Sequence, residues 1–144
     1  MDKRTALYEK HVELGGKMVS FAGWELPVSY GNGILHEHAV VREKAGLFDV
    51  SHMGEIFITG ANATEALQRL VSNRVADMQR GQCRYALLTY PDGGIVDDLL
   101  IYKFCDEKYL LVVNASNADK DFAHVTENLD AGAKAENVSS FVSQ

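Results

Sequence analysis

The stretch from Tyr90 to Tyr102 constrains the fold of this chain most, because it joins a turn signal to two strand-like segments. It reads Tyr-Pro-Asp-Gly-Gly-Ile-Val-Asp-Asp-Leu-Leu-Ile-Tyr. Pro91 fixes its own φ, Asp92 can bond its own backbone, and the glycines tolerate positive φ. The flanking segments, residues 83–90 and 95–103, have the composition of β-strands. The stretch therefore predicts a β-hairpin.

Two adjacent carboxylates, Asp97 and Asp98, lie near the start of the second strand of this hairpin. Side chains alternate along a strand, so the two carboxylates point to opposite faces. Both faces are otherwise apolar, which predicts a central strand covered on both sides. An unpaired buried carboxylate is costly, so at least one needs a partner, and the pair marks a candidate functional site. The alternative is that both residues cap the hairpin and face solvent.

Apolar periodicity and turn residues place the other elements around the hairpin. The predicted helices cover residues 5–14, 34–45, 63–73 and about 117–129, and further strands cover 55–59 and 109–114. Gly46 is expected to end the second helix, and the Asn62 side chain to cap the third. A weak alternating segment follows at 137–142. This order predicts an α+β fold with an antiparallel sheet, a meander with a central hairpin, flanked by helices.

Composition excludes several classes of function. The 144 residues are 47% hydrophobic and 24% charged, as in an ordinary globular domain, and the net charge of −6 disfavours nucleic acid as a partner. We find neither a signal peptide nor an apolar run of about 20 residues, so we expect no membrane association. Two cysteines without metal-ligand spacing indicate a reducing compartment, the cytoplasm, and no metal.

Two other groups of polar residues invite a catalytic or metal-binding interpretation. Asp49, Ser51 and His52 have the residue types of a hydrolase triad, but adjacent Ser and His side chains diverge in an extended chain. His36 and His38 are two residues apart on a helix and cannot chelate one metal as an i, i+4 pair can. We interpret both groups as structural.

Five segments resemble the aminomethyltransferase (T-protein) family of the glycine cleavage system, in the order of that family. They are residues 7–11, 16–27, 46–54, 93–99 and 112–115. The resemblance implies an enzyme that moves the methylene carbon from the aminomethyl-lipoyl arm of the H-protein to tetrahydrofolate, with release of ammonia. Lipoylated H-protein and folate are the implied partners, and tetrahydrofolate serves as the co-substrate.

The resemblance also implies the residues of the site. Asp98, the second aspartate of a Gly-Gly-x-x-Asp-Asp motif, is the implied catalytic residue beside the reactive nitrogens of folate. The implied folate-binding residues are Met53, Tyr85, Asp98, Tyr102, Val112 and Asn114. Asp97 would be the structural partner of Asp98. A carboxylate suits this role because the reaction needs an oriented amine, a stabilised positive charge and proton handling.

Family members continue well beyond the position of Gln144, so the resemblance implies an N-terminal fragment. Residues 1–50 would be the incomplete beginning of the first folate-binding domain, and residues 51–144 an α+β domain that carries the motif. We expect this chain alone to bind folate weakly and to be inactive, because its pocket would lack later segments.

Two alternative functions remain open. The first is another folate-binding member of the superfamily, such as a demethylase, a tRNA-modification assistant or a module of sarcosine or dimethylglycine dehydrogenase. The early start of the matching segments argues against a module behind a flavin domain. The second is a binding domain without catalysis. A folate titration followed by a transfer assay would separate these possibilities.

Overall fold

A computed structural model describes residues 1–141 of the chain. These residues form two compact units, the first comprising Met1–His52 and the second beginning at Met53. Within residues 1–141 the longest helix has 11 residues. None of the described helices is long and apolar enough to cross a membrane.

The first unit is a small sheet accompanied by two helices. Its elements are β1 (Lys3–Arg4), α1 (Tyr8–Glu13), β2 (Met18–Phe21), β3 (Trp24–Pro27) and α2 (Ile34–Glu43). Strands β2 and β3 form an antiparallel hairpin, and β1 pairs with β3 in parallel. Helix α1 is followed by Gly15, whose φ of 74° suits a residue without a side chain. The helix therefore ends within one residue of the predicted position 14, but it begins at Tyr8 rather than at the predicted Thr5.

The predicted end of α2 at Gly46 is wrong. The helix ends at Glu43, and the residue after it, Lys44, has a φ of −135° and a ψ of −110°. Gly46 does not have the positive φ of a helix-terminating glycine. The chain therefore leaves helical geometry at Lys44, two residues before the glycine.

The second unit contains the predicted antiparallel sheet. Its elements are β4 (Gly54–Thr59), α3 (Ala63–Leu70), β5 (Cys83–Thr89), β6 (Ile95–Cys105), β7 (Lys108–Val113), α4 (Ala118–Asn128), β8 (Lys134–Asn137) and a 3-10 turn (Ser139–Phe141). The strand order is β5-β6-β7-β4-β8, and all neighbours are antiparallel. The predicted α+β class and the meander β5-β6-β7 are confirmed.

The hairpin between β5 and β6 closes as the sequence predicts. The backbone N–H of Tyr90 donates to the carbonyl of Gly94 at 2.8 Å, and the N–H of Gly94 donates to Oδ1 of Asp92 at 2.9 Å. Gly93 has a φ of 88°, which a side chain would disfavour. The turn fixes the register that carries Asp97 and Asp98.

Two predictions for α3 need correction. Asn62 precedes the helix but makes no side-chain cap; its Nδ2 instead donates to the carbonyl of Ala131 at 2.9 Å. The helix ends at Leu70, because Val71 is extended and forms a bridge with Leu88. Pairing with the sheet edge thus replaces the last predicted turn of the helix.

The last predicted strand, residues 137–142, is also misplaced. The strand is β8, Lys134–Asn137, and a 3-10 turn follows at Ser139–Phe141. Pairing with β4 fixes this position, since Lys134 lies opposite Thr59 and Asn137 opposite Ile56. Val142 lies outside the described residues.

The helices of the second unit pack on one face of its sheet. That face carries the main hydrophobic core, in which strand residues such as Ile56, Leu99 and Ile101 meet Leu67 of α3 and Val125 of α4. On the opposite face, which carries neither α3 nor α4 and is called the open face below, Tyr102 is 37% exposed and Phe104 is 46% exposed, although other residues of this face are buried. The prediction of a strand covered on both sides is therefore wrong for the end of β6 around Tyr102 and Phe104.

Candidate functional site

The two carboxylates of β6 meet a single amide at the end of β7. Leu99 pairs with Val113, so Asn114, the first residue after β7, comes level with Asp98. Nδ2 of Asn114 lies 2.9 Å from Oδ1 of Asp98 and 3.1 Å from Oδ1 of Asp97. The same atom lies 3.2 Å from the backbone carbonyl of Asp98. Alternation along β6 therefore does not prevent both carboxylates from sharing one hydrogen-bond donor.

Tyr85 and Val112 lie in the sheet row next to Asp98. Leu100 pairs with Tyr85 on one side and with Val112 on the other. Partial desolvation, and the charge of Asp98 and a hydrogen bond with it, raise the pKa of the Tyr85 phenol. Val112 is buried, whereas Tyr85 is exposed. A carboxylate, an amide, a phenol and an apolar side chain thus share the open face of the sheet.

The other two predicted site residues occupy different places. Tyr102 is on the Asp98 face of β6, but it pairs with Cys83 and Leu110, four residues along the strand from Asp98. At about 3.3 Å per residue its backbone is about 13 Å from that of Asp98. Met53 directly precedes Gly54, the partner of Val113, so its backbone is at the same sheet end as Asn114.

Asp97 turns inward, toward α4, and is only 8% exposed. The idea that both aspartates face solvent at the hairpin is therefore wrong for Asp97. Burial alone would raise its pKa, but the interactions with the Asp121 and Asn114 side chains, the Asp98 backbone and the Asn117 side chain outweigh burial and lower it. Asp97 is accordingly held as an anion inside the unit.

Asp121 is a site residue that the sequence analysis missed. It lies on α4, is fully buried, and has its pKa raised to about 7 by burial, by its hydrogen bond with Asp97 and by the charge of Asp97. A signal for it was present, because Asp121 stands four residues before Val125 on the inward face of the predicted helix. A charged residue in such a stripe needs a partner.

Glu55 is the second missed carboxyl group. It pairs with Val112 on β7, which puts it in the row of Tyr85 and Val112 on the Asp98 face. It is fully buried, and burial raises its pKa to about 7 against the opposing effect of a hydrogen bond with Ser139. The alternation of strand β4 indicated its face, but its burial comes from tertiary packing.

In the first unit, Asp49 belongs to a buried hydrogen-bond network. Its Oδ2 accepts from Nε2 of His11 at 2.8 Å and from Oγ1 of Thr5 at 2.7 Å, and its Oδ1 accepts from the N–H of Ser51 at 3.0 Å. Tyr30 contacts the other ring nitrogen of His11 at 2.7 Å. The histidine bound to Asp49 is thus His11 rather than His52, which supports the structural interpretation over a hydrolase triad.

Beside this network, a cleft of about 1200 Å³ opens in the first unit. Its lining is mainly apolar and includes Leu26, Val40 and Phe48. Across residues 1–141, we find no group of three or more His, Cys, Asp or Glu side chains arranged to hold a metal ion.

The geometry around Asp98 presents an oriented hydrogen-bond acceptor. A carboxylate held by an amide has a fixed orientation and leaves its second oxygen available as an acceptor. The adjoining phenol can donate or accept a hydrogen bond, and the apolar strand surface can carry a flat ring. Fold and site together define an α+β domain with an oriented carboxylate on the open face of its sheet.

Comparisons with known proteins agree with this description. The family profile described as the GCVT N-terminal domain matches residues 7–144, and the chain belongs to this family. It is 54% identical over 143 residues to an aminomethyltransferase of Alkaliphilus oremlandii, covering 99% of this chain and 39% of that relative. It is 50% identical to an aminomethyltransferase of Bacillus velezensis, with the same two coverages.

The fold of this chain also matches that of a solved structure. The crystal structure of glycine cleavage system aminomethyltransferase T from Bartonella henselae superposes with a TM-score of 0.92 at 36% sequence identity. The match covers 96% of this chain and 39% of that structure. The resemblance to the T-protein family is confirmed, and the chain spans about two fifths of the length of the relatives it matches.

Proposed function

We propose that this chain supplies the catalytic carboxylate of a tetrahydrofolate-dependent aminomethyltransferase of glycine cleavage. The reaction would move the methylene carbon from the aminomethyl-lipoyl H-protein to tetrahydrofolate and release ammonia. The observation that carries the proposal is the hydrogen bond from Asn114 to Asp98 beside Tyr85, on the open face of the sheet, in a member of this family.

In this proposal Asp98 acts on the reacting nitrogen. Tetrahydrofolate would supply the amine that accepts the methylene carbon. One carboxylate oxygen is held by Asn114 at 2.9 Å, so the other can accept the N–H of that amine and fix its direction. The negative charge would also stabilise positive charge that develops on the transferred group. A carboxylate can in addition take up a proton as ammonia leaves.

The remaining residues would hold the folate ring. Val112 and the strand around Leu100 offer apolar surface, and Tyr85 offers an aromatic ring with a polar end. Met53 lies at the same sheet end as Asn114 and could extend the apolar surface. Tyr102 is assigned to the outer part of the pocket, because it is on the same face but farther along β6.

Two features support the proposed setting of the reaction. Both cysteines, Cys83 and Cys105, are free and exposed, which fits a reducing compartment such as the cytoplasm. The H-protein would bring its lipoyl arm to the open sheet face, since the helices α3 and α4 cover the other face.

The test is a comparison of methyl and aminomethyl donors. The 144-residue chain is titrated with tetrahydrofolate by calorimetry, and transfer from the aminomethyl-lipoyl H-protein is then measured as methylene-tetrahydrofolate and ammonia. A full-length relative is assayed in parallel as a positive control. We expect the full-length relative to transfer the methylene carbon from this donor, and we expect this transfer to require the residue equivalent to Asp98. Transfer from sarcosine or dimethylglycine instead would favour a demethylase, and folate binding without dependence on Asp98 would favour a non-catalytic binding domain.

A further inference from the structure

Asp97 on β6 and Asp121 on α4 are buried together in the second unit, close enough that each carboxyl group shifts the pKa of the other. Asp121 is fully buried and Asp97 nearly so. Within the described residues, Oδ2 of Asp97 and both carboxyl oxygens of Asp121 have no N–H or hydroxyl donor in hydrogen-bond range. The nearest cation, Nζ of Lys120, is 3.9 Å from Oδ1 of Asp121 and already donates to the carbonyl of Val96 at 2.6 Å.

Two buried carboxylates in contact cannot both be ionised without a large electrostatic cost, so such pairs share a proton. The asymmetry of their surroundings decides which residue carries it. Asp97 accepts from Asn114 and from the Asp98 backbone, which favours its anion. Among the described residues, the charge of Lys120 favours ionisation of Asp121, while burial and the interactions with Asp97 and Asp98 outweigh it. The proton therefore belongs on Asp121, whose hydroxyl group can donate a hydrogen bond to ionised Asp97.

This proton lies at one end of a continuous chain of hydrogen bonds. With its proton in place, Asp121 can donate to Asp97, whose Oδ1 accepts from Nδ2 of Asn114 at 3.1 Å. The same Nδ2 atom donates to Oδ1 of Asp98 at 2.9 Å. Asp98 is thus connected to a residue on α4 that never reaches the open face of the sheet.

We propose that Asp121 is a positioning residue for the site: as a neutral acid it hydrogen-bonds to ionised Asp97, which holds the Asn114 amide against Asp98. The inference rests on the proposed function for its consequence in catalysis, but the proton sharing stands on the buried contact alone. Loss of the proton would place a third negative charge beside Asp97 and Asp98. Repulsion would then displace Asp97, and Asn114 would lose one of the two carboxylates that fix its amide.

The first experiment follows the proton directly, without folate. Aspartate carboxyl carbons of the 144-residue chain are labelled with ¹³C and titrated by NMR between pH 3 and pH 9. One carboxyl group is expected to titrate near the pKa of about 7 assigned to Asp121, and the side-chain ¹H–¹⁵N signals of Asn114 should move with it. If every aspartate titrates below about pH 5, the ordinary upper range of this residue type, proton sharing is refuted.

Substitutions then separate positioning from a merely structural role. Asp121→Asn keeps a donor toward Asp97 but cannot ionise, so it should abolish the upper titration and leave the Asn114 signals at their low-pH positions throughout. Asp121→Leu removes the donor and should shift the Asn114 signals at every pH. Asp119→Asn, an exposed residue of the same helix, should change nothing.

These experiments test separately whether Asp121 carries the proton and whether it positions Asn114. If the upper titration exists but the Asn114 signals ignore it, Asp121 does not position Asn114 and the proposal fails. If Asp121→Asn does not fold, the titration of the wild type alone still shows whether the Asn114 signals follow the upper titration. Should the titrations behave as expected while the chain and its relative make no use of folate, the proton pair stands and the proposed function is what fails.

Discussion

Nδ2 of Asn114 lies 2.9 Å from Oδ1 of Asp98, although the two residues are 16 positions apart in the chain. The contact exists because Leu99 pairs with Val113 at the end of the β6-β7 ladder. Asp98, which precedes Leu99, therefore lies opposite Asn114, which follows Val113. Asn114 is therefore the side chain that fixes the rotamer of the proposed catalytic carboxylate.

Asn114→Ala should weaken folate binding without unfolding the second unit. A hydrogen bond to a charged group contributes about 1.5 to 3 kcal/mol, so the dissociation constant for tetrahydrofolate should rise about tenfold or more. Calorimetry on the wild type and the variant measures it. Asn128→Ala is the matched control, since the Asn128 amide donates to the carbonyl of His124 on its own helix. Equal affinities for both variants would contradict the role of Asn114.

The two adjacent aspartates should differ when each is replaced by asparagine. Asp98→Asn preserves shape but deletes the charge on the open face, and transfer should slow by about 10²-fold or more with folding nearly intact. Asp97→Asn deletes a buried charge that accepts several hydrogen bonds, and should cost about 1 to 3 kcal/mol of unfolding free energy. Its effect on transfer should be smaller.

The loss of stability is measured from thermal midpoints of the variants of this chain. The loss of activity is measured by single-turnover transfer in a full-length relative that carries the equivalent substitutions. The comparison between the variants matters because either one alone could act through misfolding. A larger loss of transfer for Asp97→Asn in a stable protein would remove Asp98 from the role of catalytic carboxylate.

The hairpin could be predicted from the sequence because its signals are local. Pro91, Asp92 and Gly93 determine a turn within four residues, and the strands on either side alternate from it. The same locality located all four helices to within a few residues. The helix ends were less predictable. The Asn62 side chain, for example, donates a hydrogen bond to the carbonyl of Ala131, 69 residues away, and no local sequence pattern encodes this contact.

The candidate site was only half predictable for the same reason. Asp98 and Asn114 were found through resemblance to a family, whereas their contact follows from strand register. Asp121 and Glu55 were missed because burial of a carboxyl group is a tertiary property. Alternation in β6 correctly separated the faces of Asp97 and Asp98, but it could not reveal that one amide at the strand end reaches both.

Gly54→Ala should destabilise the second unit next to the proposed site. A Cβ at Gly54 would lie 2.7 Å from Cβ of Ala118 on α4 and 2.7 Å from Cγ2 of Val113. Such overpacking costs about 1 to 3 kcal/mol, which denaturant unfolding can measure. Gly31→Ala is the control, because a Cβ there meets nothing within 4 Å. Similar midpoints for both variants would show that α4 shifts freely.

Amide exchange should be faster in the first unit than in the second. The buried residues of the first unit are Thr5, His11, Leu26 and Ser51, whereas the second holds the large hydrophobic core. Phe21 and Phe48, which the sequence marks as apolar, remain 59% and 65% exposed. Hydrogen exchange followed by mass spectrometry should show early labelling between Tyr8 and Val50. Uniformly slow exchange of these residues in a demonstrated monomer would contradict it.

Acid should unfold the first unit through Asp49. Burial alone would raise its pKa, but hydrogen bonds from His11, Ser51 and Thr5 lower it to about 2, below the ordinary value of 3.8 for an aspartate. A lowered folded-state pKa stabilises the fold above the unfolded-state value, and this stability disappears as the pH falls from about 4 to about 2. The pKa difference corresponds to about 2 kcal/mol.

Trp24, the only tryptophan, lies in the first unit and reports its unfolding by fluorescence. The wild type should lose urea resistance between about pH 4 and pH 2, whereas Asp49→Asn should be weaker at pH 6 and show no such loss. Glu13→Gln is the control, because its ion pair with Lys10 is exposed and contributes little. If Asp49→Asn keeps the wild-type pH dependence, the acid sensitivity arises from other carboxyl groups and the network around Asp49 does not govern the stability of this unit.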